Sequence, residues 1–114
     1  MADQIIKYPF GPATEVALTA DGAQAITVKN DLTIVDGVTV PATGNRTVNL
    51  TIDENLKAGA RIVFLLKTAA TETTIFGTNI TGATITGVAG KTKTVEAVFN
   101  GTGFDVIGTA GQID

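Results

Sequence analysis

The sequence predicts an all-β protein: a compact antiparallel β-sandwich or barrel-like domain with an extended N-terminal arm. Twenty of the 114 residues are Thr, a β-branched type that favours pleated strands. From residue 15 onward, short segments of alternating apolar and polar residues recur between turn residues. The length suits one domain. Many short strands with frequent turns therefore predict a sandwich or barrel.

Residues 1–14 differ from the rest and are predicted to form an extended anchoring or subunit-docking arm, followed by a β-sandwich domain over residues 15–114. Pro9 and Pro12 fix φ and remove backbone donors, which favours an extended or turning segment. The arm carries four large apolar residues, which would pack either on their own domain or on another chain. We predict that they dock on a partner chain: Ile5, Ile6, Tyr8 and Phe10.

The next elements follow a strand-turn-strand pattern. The segment "LTIVDGVTV" predicts two short strands around an Asp36-Gly37 hairpin turn. In "RTVNLTI" the alternation places Val48, Leu50 and Ile52 on the inner face. The segment "DENLKAG", residues 53–59, gives the only hint of helix and is too short to be more than a connector.

The segment "ARIVFLLKT" is the most apolar part of the chain, and a strand there has two apolar faces. A second sheet can cover the face of Ile62, Phe64 and Leu66. The opposite face, with Val63 and Leu65, then needs another cover. We predict that these two residues belong to a subunit interface; the alternative is a strand in mid-sheet with the sheet edges curled over it.

The last third of the chain combines a glycine-rich segment with a predicted hairpin. Residues 74–90 repeat Ile and Gly at intervals of five, which indicates either a bend at each Gly or chance in a Thr- and Gly-rich stretch. Strands at 94–99 and from 104, joined by "NGTG", form the predicted closing hairpin.

Composition argues against most kinds of chemistry. The chain has no Cys, His, Trp or Ser, so the common nucleophiles, the usual general base and thiolate metal sites are missing. We therefore predict no catalytic residues, no cofactor and no metal. The net charge is −3 with scattered Lys and Arg, which disfavours nucleic-acid binding. No stretch approaches the length needed to span a bilayer, so no membrane partner is expected.

Three local patterns have simpler structural explanations. "GTGFDVIG", residues 101–108, resembles a phosphate-binding loop but lacks the third Gly and a following helix, which favours a turn. The acidic residues are dispersed, which favours turn and surface roles. Four Asn-x-Thr triplets would need a secretory pathway to be glycosylated, and "MADQIIKYPFGP" has no signal-peptide pattern. We expect synthesis in a cytoplasm without a signal peptide.

The order of segments resembles small β-rich virion surface proteins of tailed bacteriophages. The resemblance covers roughly residues 24–108: an alternating strand, "DENLKAGARIVFLL", "TIFGTNITG", "VAGKTKTVEAVF" and a final "NGTGFDVIG". Such domains occur in head fibres, capsid decoration proteins and tail-fibre tips, and many are homotrimers attached through an N-terminal segment. The resemblance carries no site residues. The missing long shaft and terminal Trp favour a compact knob or decoration protein.

The sequence therefore leads to two functional hypotheses. The first is a non-enzymatic structural protein on the phage capsid surface, a head fibre or decoration component that assembles as a homo-oligomer, expected to be a trimer, with other virion proteins as partners. The second is a tail-fibre receptor-binding module that binds a host surface glycan through the turns at 41–45, 77–82 and 100–103. An enzyme is disfavoured by the missing nucleophiles and general base.

Overall fold

The computed structural model describes residues 13–114 as ten strands in two facing sheets, with no helix in that range. The larger sheet has six strands, in the order β1 (Ala13–Ala17), β3 (Leu32–Ala42), β5 (Arg61–Thr68), β9 (Thr92–Phe99), β10 (Phe104–Gln112) and β7 (Ile80–Thr81). The smaller sheet has four, in the order β2 (Gly22–Val28), β4 (Arg46–Ile52), β6 (Thr73–Phe76) and β8 (Ile85–Thr86). The all-β class predicted from the sequence is confirmed.

The first six strands alternate between the two sheets. Strands β1, β3 and β5 are parallel neighbours in the larger sheet, and β2, β4 and β6 are parallel neighbours in the smaller one. Five of the eight strand pairings are parallel, whereas the sequence pattern favoured antiparallel pairing. Side-chain alternation identifies an inner and an outer face but not the neighbouring strand, and here each successive strand crosses to the opposite sheet.

The Asp36-Gly37 hairpin is not formed, because β3 continues through both residues. Asp36 lies opposite Leu65 and Gly37 opposite Leu66 of β5, and the register shifts only beyond Gly37. A Cβ atom at position 37 would lie 2.7 Å from the carbonyl oxygen of Leu65. The glycine therefore permits a close approach of two strands and does not serve a turn.

The connector at residues 53–59 contains two turns and no helix. Its first turn is stabilised by Asp53, whose Oδ1 accepts a hydrogen bond from the N–H of Asn55 at 2.8 Å. Gly59 has a φ of +99°, a conformation that favours glycine. The prediction of a short connector before β5 is confirmed.

The closing hairpin is formed by β9 and β10, as predicted. The two strands are antiparallel, with Phe104 opposite Phe99 and their ring centroids 5.2 Å apart. The N–H of Asn100 donates to the carbonyl oxygen of Gly103 at 2.9 Å and closes the turn. Residues 101–108 thus form a turn and a strand.

The core lies between the two sheets. Strand β5 contributes three fully buried side chains to it, Ile62, Phe64 and Leu66, and the ring of Phe64 meets that of Phe76 edge-on at 5.2 Å. The smaller sheet contributes apolar side chains from β2 and β4: Ile26, Val28, Val48 and Leu50. Burial of each such side chain stabilises the fold by about 1.5–3 kcal/mol.

The regular Ile and Gly spacing does not place the isoleucines on one face. Ile75 is exposed on the smaller sheet, whereas Ile80 is buried in the larger one. Gly82 and Gly87 sit where a Cβ would collide, within 2.5 Å of Val106 Cγ2 and 2.2 Å of Thr68 Oγ1 respectively. Close packing explains these glycines, and the bend hypothesis is not needed.

Candidate assembly surface

The outer face of the six-stranded sheet carries a cluster of apolar residues that is interrupted by Arg61 and Glu96 and bordered by Asp36. Because Ile62 and Phe64 point into the core, Val63 and Leu65 point away from it. The strand register places Ile34 of β3 beside Val63, and Leu32 and Val98 on either side of Arg61. We define the outer patch as the five residues Leu32, Ile34, Val63, Leu65 and Val98, all of which are half-buried.

The outer patch has no third layer above it among residues 13–114. The second sheet covers the inner face of β5, as expected, so neighbouring side chains within the sheet supply the partial burial of Val63 and Leu65. The structure thus brings the two predicted interface residues together with three further apolar residues. The sequence pattern gave no sign of these three, because their proximity depends on strand order.

One ion pair crosses the outer patch. Arg61 Nη1 lies 3.0 Å from Glu96 Oε2, with side chains that are 47% and 33% exposed. A pair with this exposure contributes at most about 1 kcal/mol to stability. Its two charges instead restrict which surfaces can approach the patch.

The four arm residues predicted to anchor the protein, Ile5, Ile6, Tyr8 and Phe10, lie outside the described residues. The chain emerges from that arm into β1, at one edge of the six-stranded sheet.

A polar cleft lies at the end of the molecule that carries the β9–β10 turn. It has a volume of about 290 Å³ and combines the turns at 77–82 and 100–103. The third predicted turn, at 41–45, lies elsewhere, where Thr43 and Gly44 donate backbone hydrogen bonds to Ala20. Two of the three proposed glycan-binding turns are therefore adjacent.

Most asparagine side chains near this cleft have structural roles. Asn100 Oδ1 accepts hydrogen bonds from the N–H groups of Thr102 and Gly103, and its amide donates to Asp105. Asn79 donates to the carbonyl oxygen of Leu50 and adopts a φ of +63°. The Asn-x-Thr triplets are thus accounted for by turn and strand contacts. The groups left to meet a ligand are mainly hydroxyls and the second carboxylate oxygen of Asp105, because Oδ2 accepts the hydrogen bond from Asn100.

A second, apolar groove of about 250 Å³ lies between β8 and the second half of β10. The sequence offered no signal for it, because the groove forms where the chain crosses from β7 to β8 between the two sheets.

No group of three or more His, Cys, Asp or Glu within residues 13–114 is placed to hold a metal ion.

Comparisons with protein-family models, curated proteins and solved structures give no match. None of the described residues belongs to a helix long and apolar enough to cross a membrane. The surfaces therefore have to be interpreted from their own geometry.

Proposed function

We propose that this protein is a non-enzymatic structural subunit of a tailed-phage virion that assembles as a homo-oligomer, a trimer, on the capsid surface. The observation that carries the proposal is the outer patch, an apolar surface on a sheet with no covering layer in the described chain. The phage assignment and the trimer draw on the resemblance in the strand-turn order. The arm of residues 1–14 then attaches each subunit to another chain of the particle.

The energetics of the outer patch favour assembly. Each of these partly buried Val, Ile and Leu residues gains at most roughly 1 kcal/mol when its remaining surface leaves water, so the five supply no more than a few kcal/mol. Stable interfaces bury about 800 Å² on each partner, more than five side chains provide. The patch is therefore the apolar centre of a larger contact, with the Arg61–Glu96 pair inside it.

Light scattering tests the assembly directly. We expect the wild-type mass to exceed one chain at micromolar concentration, and the double variant Val63→Asp/Leu65→Asp to have the mass of a monomer. Val88→Asp is the matched control, because Val88 is an exposed apolar residue outside the outer patch. A monomeric wild type, or an oligomer unaffected by the double variant, would contradict the proposal.

The virion assignment is tested on purified particles. Mass spectrometry should detect the protein at many copies per particle, and Tyr8→Ser/Phe10→Ser should lower the copy number. Absence of the protein from purified virions would exclude a location on the capsid surface. It would not contradict the proposed self-assembly, which light scattering tests separately.

A second candidate function is supported by the polar cleft. A glycan offers hydroxyl groups that suit Thr81, Thr102 and Asp105, which line the cleft together. On this hypothesis the protein is a tail-fibre module that binds a host surface glycan. A glycan array should give binding that Asp105→Ala abolishes and Asp21→Ala leaves unchanged; an array without hits would remove the hypothesis.

A further inference from the structure

The apolar groove between β8 and β10 lies between the edges of the two sheets. Ile85 of β8 and Val106 of β10 line it together with the nearly buried Val95. The rest of the lining is mostly small residues: Ala83, Thr84, Thr86, Gly108, Thr109 and Ala110, with Lys93. The groove thus combines apolar side chains with threonine hydroxyls.

Both walls of the groove are strand edges without a partner among residues 13–114. Strand β10 pairs with β7 only at Phe104 and Asp105, so its edge from Val106 onward is open, and residues 108–110 form a bulge that does not pair with β9. Strand β8 pairs with β6 on one side only. An extended segment between these edges would find backbone partners on either side and would close the gap between the sheets.

We propose that the groove binds the N-terminal segment of a second copy of this chain, residues 5–10, as an added extended segment. This inference rests on the proposed assembly of copies and names the contact that links them. The segment supplies the apolar side chains that the groove can take up, Ile5, Ile6, Tyr8 and Phe10. Backbone pairing gives affinity in such contacts, and the apolar pockets give specificity.

The length of the chain keeps Phe10 of the same copy out of the groove, so a segment that seats all of residues 5–10 there has to come from a second copy. Strand β1 is separated from β10 by four strand spacings in the sheet, about 19 Å. Phe10 precedes Ala13 by three residues, which span at most about 11 Å when fully extended. A chain also has to pass around the sheet and not through its core. Phe10 of the same copy therefore does not reach the groove.

The donating arm and the receiving groove are different surfaces, so the contact is head-to-tail. Such contacts close into rings when the rotation between subunits allows it, and extend into filaments otherwise. A ring of three would use every arm and every groove once. In this arrangement the chain to which each arm attaches is the neighbouring subunit of the trimer, and the outer patch provides a second contact between subunits.

Engineered cysteines test the contact in the full-length chain, which has no cysteine of its own. Lys7→Cys on one chain is mixed with Thr84→Cys on a second chain that carries a mass tag, and a short bifunctional thiol reagent is added. Thr51→Cys, exposed on β4, replaces Thr84→Cys as the matched control. We expect the mixed crosslink to form at least tenfold faster with Thr84→Cys than with Thr51→Cys.

A groove-filling variant gives an independent measurement. Ala110→Trp in the tagged chain should abolish the crosslink between the cysteines at positions 7 and 84. The variant should keep the circular dichroism spectrum of a β protein. Should that variant lose its β spectrum, Thr109→Arg takes its place at an exposed position of the same groove.

Two results overturn the inference. One is a crosslink no faster than the Thr51 control; the other is a Lys7→Cys/Thr84→Cys double variant that crosslinks within a single chain at high dilution. An oligomer in light scattering without the arm–groove crosslink would refute this contact and leave the proposed function intact. A wild-type monomer would refute the proposed function itself.

Discussion

Arg46 is the largest fully buried side chain of the described residues, at 2% exposure. Its Nη2 donates to the carbonyl oxygen of Lys67 at 3.0 Å, and its Nη1 to that of Val40 at 3.4 Å. The buried Nε has no partner within residues 13–114. Burial lowers the pKa of the Arg46 guanidinium, and the charge of Glu72 opposes that shift. A guanidinium thus joins the diverging end of β3 to the end of β5.

Arg46→Ala should lower the free energy of unfolding by about 3 kcal/mol, because it removes two hydrogen bonds and leaves a cavity. Arg61→Ala, compared with Arg46→Ala in the monomeric Val63→Asp/Leu65→Asp background, is the matched control: Arg61 is there exposed, and among the described residues its ion pair is with Glu96, so its loss should cost at most about 1 kcal/mol. Urea denaturation of both variants measures the difference. Equal losses for the two arginines would contradict the structural role of Arg46.

Gly37 and Gly111 differ in the space that a side chain would have at each position. A Cβ at position 37 would meet a backbone oxygen at 2.7 Å and both Arg46 Nη atoms at 3.1 Å, whereas nothing lies within 4 Å of a Cβ at position 111. We expect Gly37→Ala to destabilise the protein by about 1–3 kcal/mol through overpacking. Gly111→Ala should be close to neutral in the same thermal unfolding experiment. A neutral Gly37→Ala would show that β3 and β5 can separate at this point.

At the scale of the elements, β3 shows how a turn-like dipeptide is accommodated inside a strand. The Asp36 carboxylate accepts hydrogen bonds from the Thr39 hydroxyl at 2.6 Å and from the N–H groups of Val38 and Thr39 at 2.8 and 3.1 Å. These bonds stabilise the irregular backbone that leads from Gly37 toward Ala42, where the register with β5 shifts. The local preference of Asp-Gly for turning thus produces a bulge and not a hairpin.

The hydrogen bonds of Asp36 predict a pH dependence of this bulge. The Thr39 hydroxyl, followed by the N–H groups of Val38 and Thr39, lowers the pKa of Asp36 below its usual value of 3.8. A carboxyl group with a lowered folded-state pKa stabilises the fold above its unfolded pKa, and that stabilisation is lost as the pH falls through the folded value. The amide signals of Val38 and Thr39 should therefore shift together below about pH 4 in an NMR titration.

Asp36→Asn serves as the control for that titration, because it keeps an acceptor oxygen and cannot ionise. The shifts of Val38 and Thr39 should then be absent in this pH range. Shifts that persist in the variant would assign the transition to another acid.

At the scale of the whole molecule, two sheets enclose one core and leave two surfaces apolar: the outer patch and the groove between β8 and β10. Only 17% of the residues are charged, against about 25% in typical soluble domains. We infer from the few charges and the two apolar surfaces that association of copies would lower the free energy. The proposed assembly and the proposed arm–groove contact both depend on these apolar surfaces being buried between copies.

Association predicts a thermal stability that depends on protein concentration. If the folded state is a trimer and the unfolded state a single chain, a tenfold increase in concentration should raise the Tm by about 4 °C. Val63→Asp/Leu65→Asp should remove that dependence. A wild-type Tm that stays constant while the protein concentration rises from about 1 to about 100 μM would identify the monomer as the stable unit.

Local pattern was sufficient for the all-β class, the inward faces of β4 and β5, and the β9–β10 hairpin, because side-chain alternation and turn residues act between near neighbours. The tertiary structure alone decided the strand order, the continuous β3, the burial of Arg46 and the apolar groove. Each of these depends on which strand lies beside which, and that choice is made by packing between residues distant in the chain. For Val63 and Leu65, the sequence alternation determines that the side chains point outward. The strand order determines that they lie near Leu32, Ile34 and Val98.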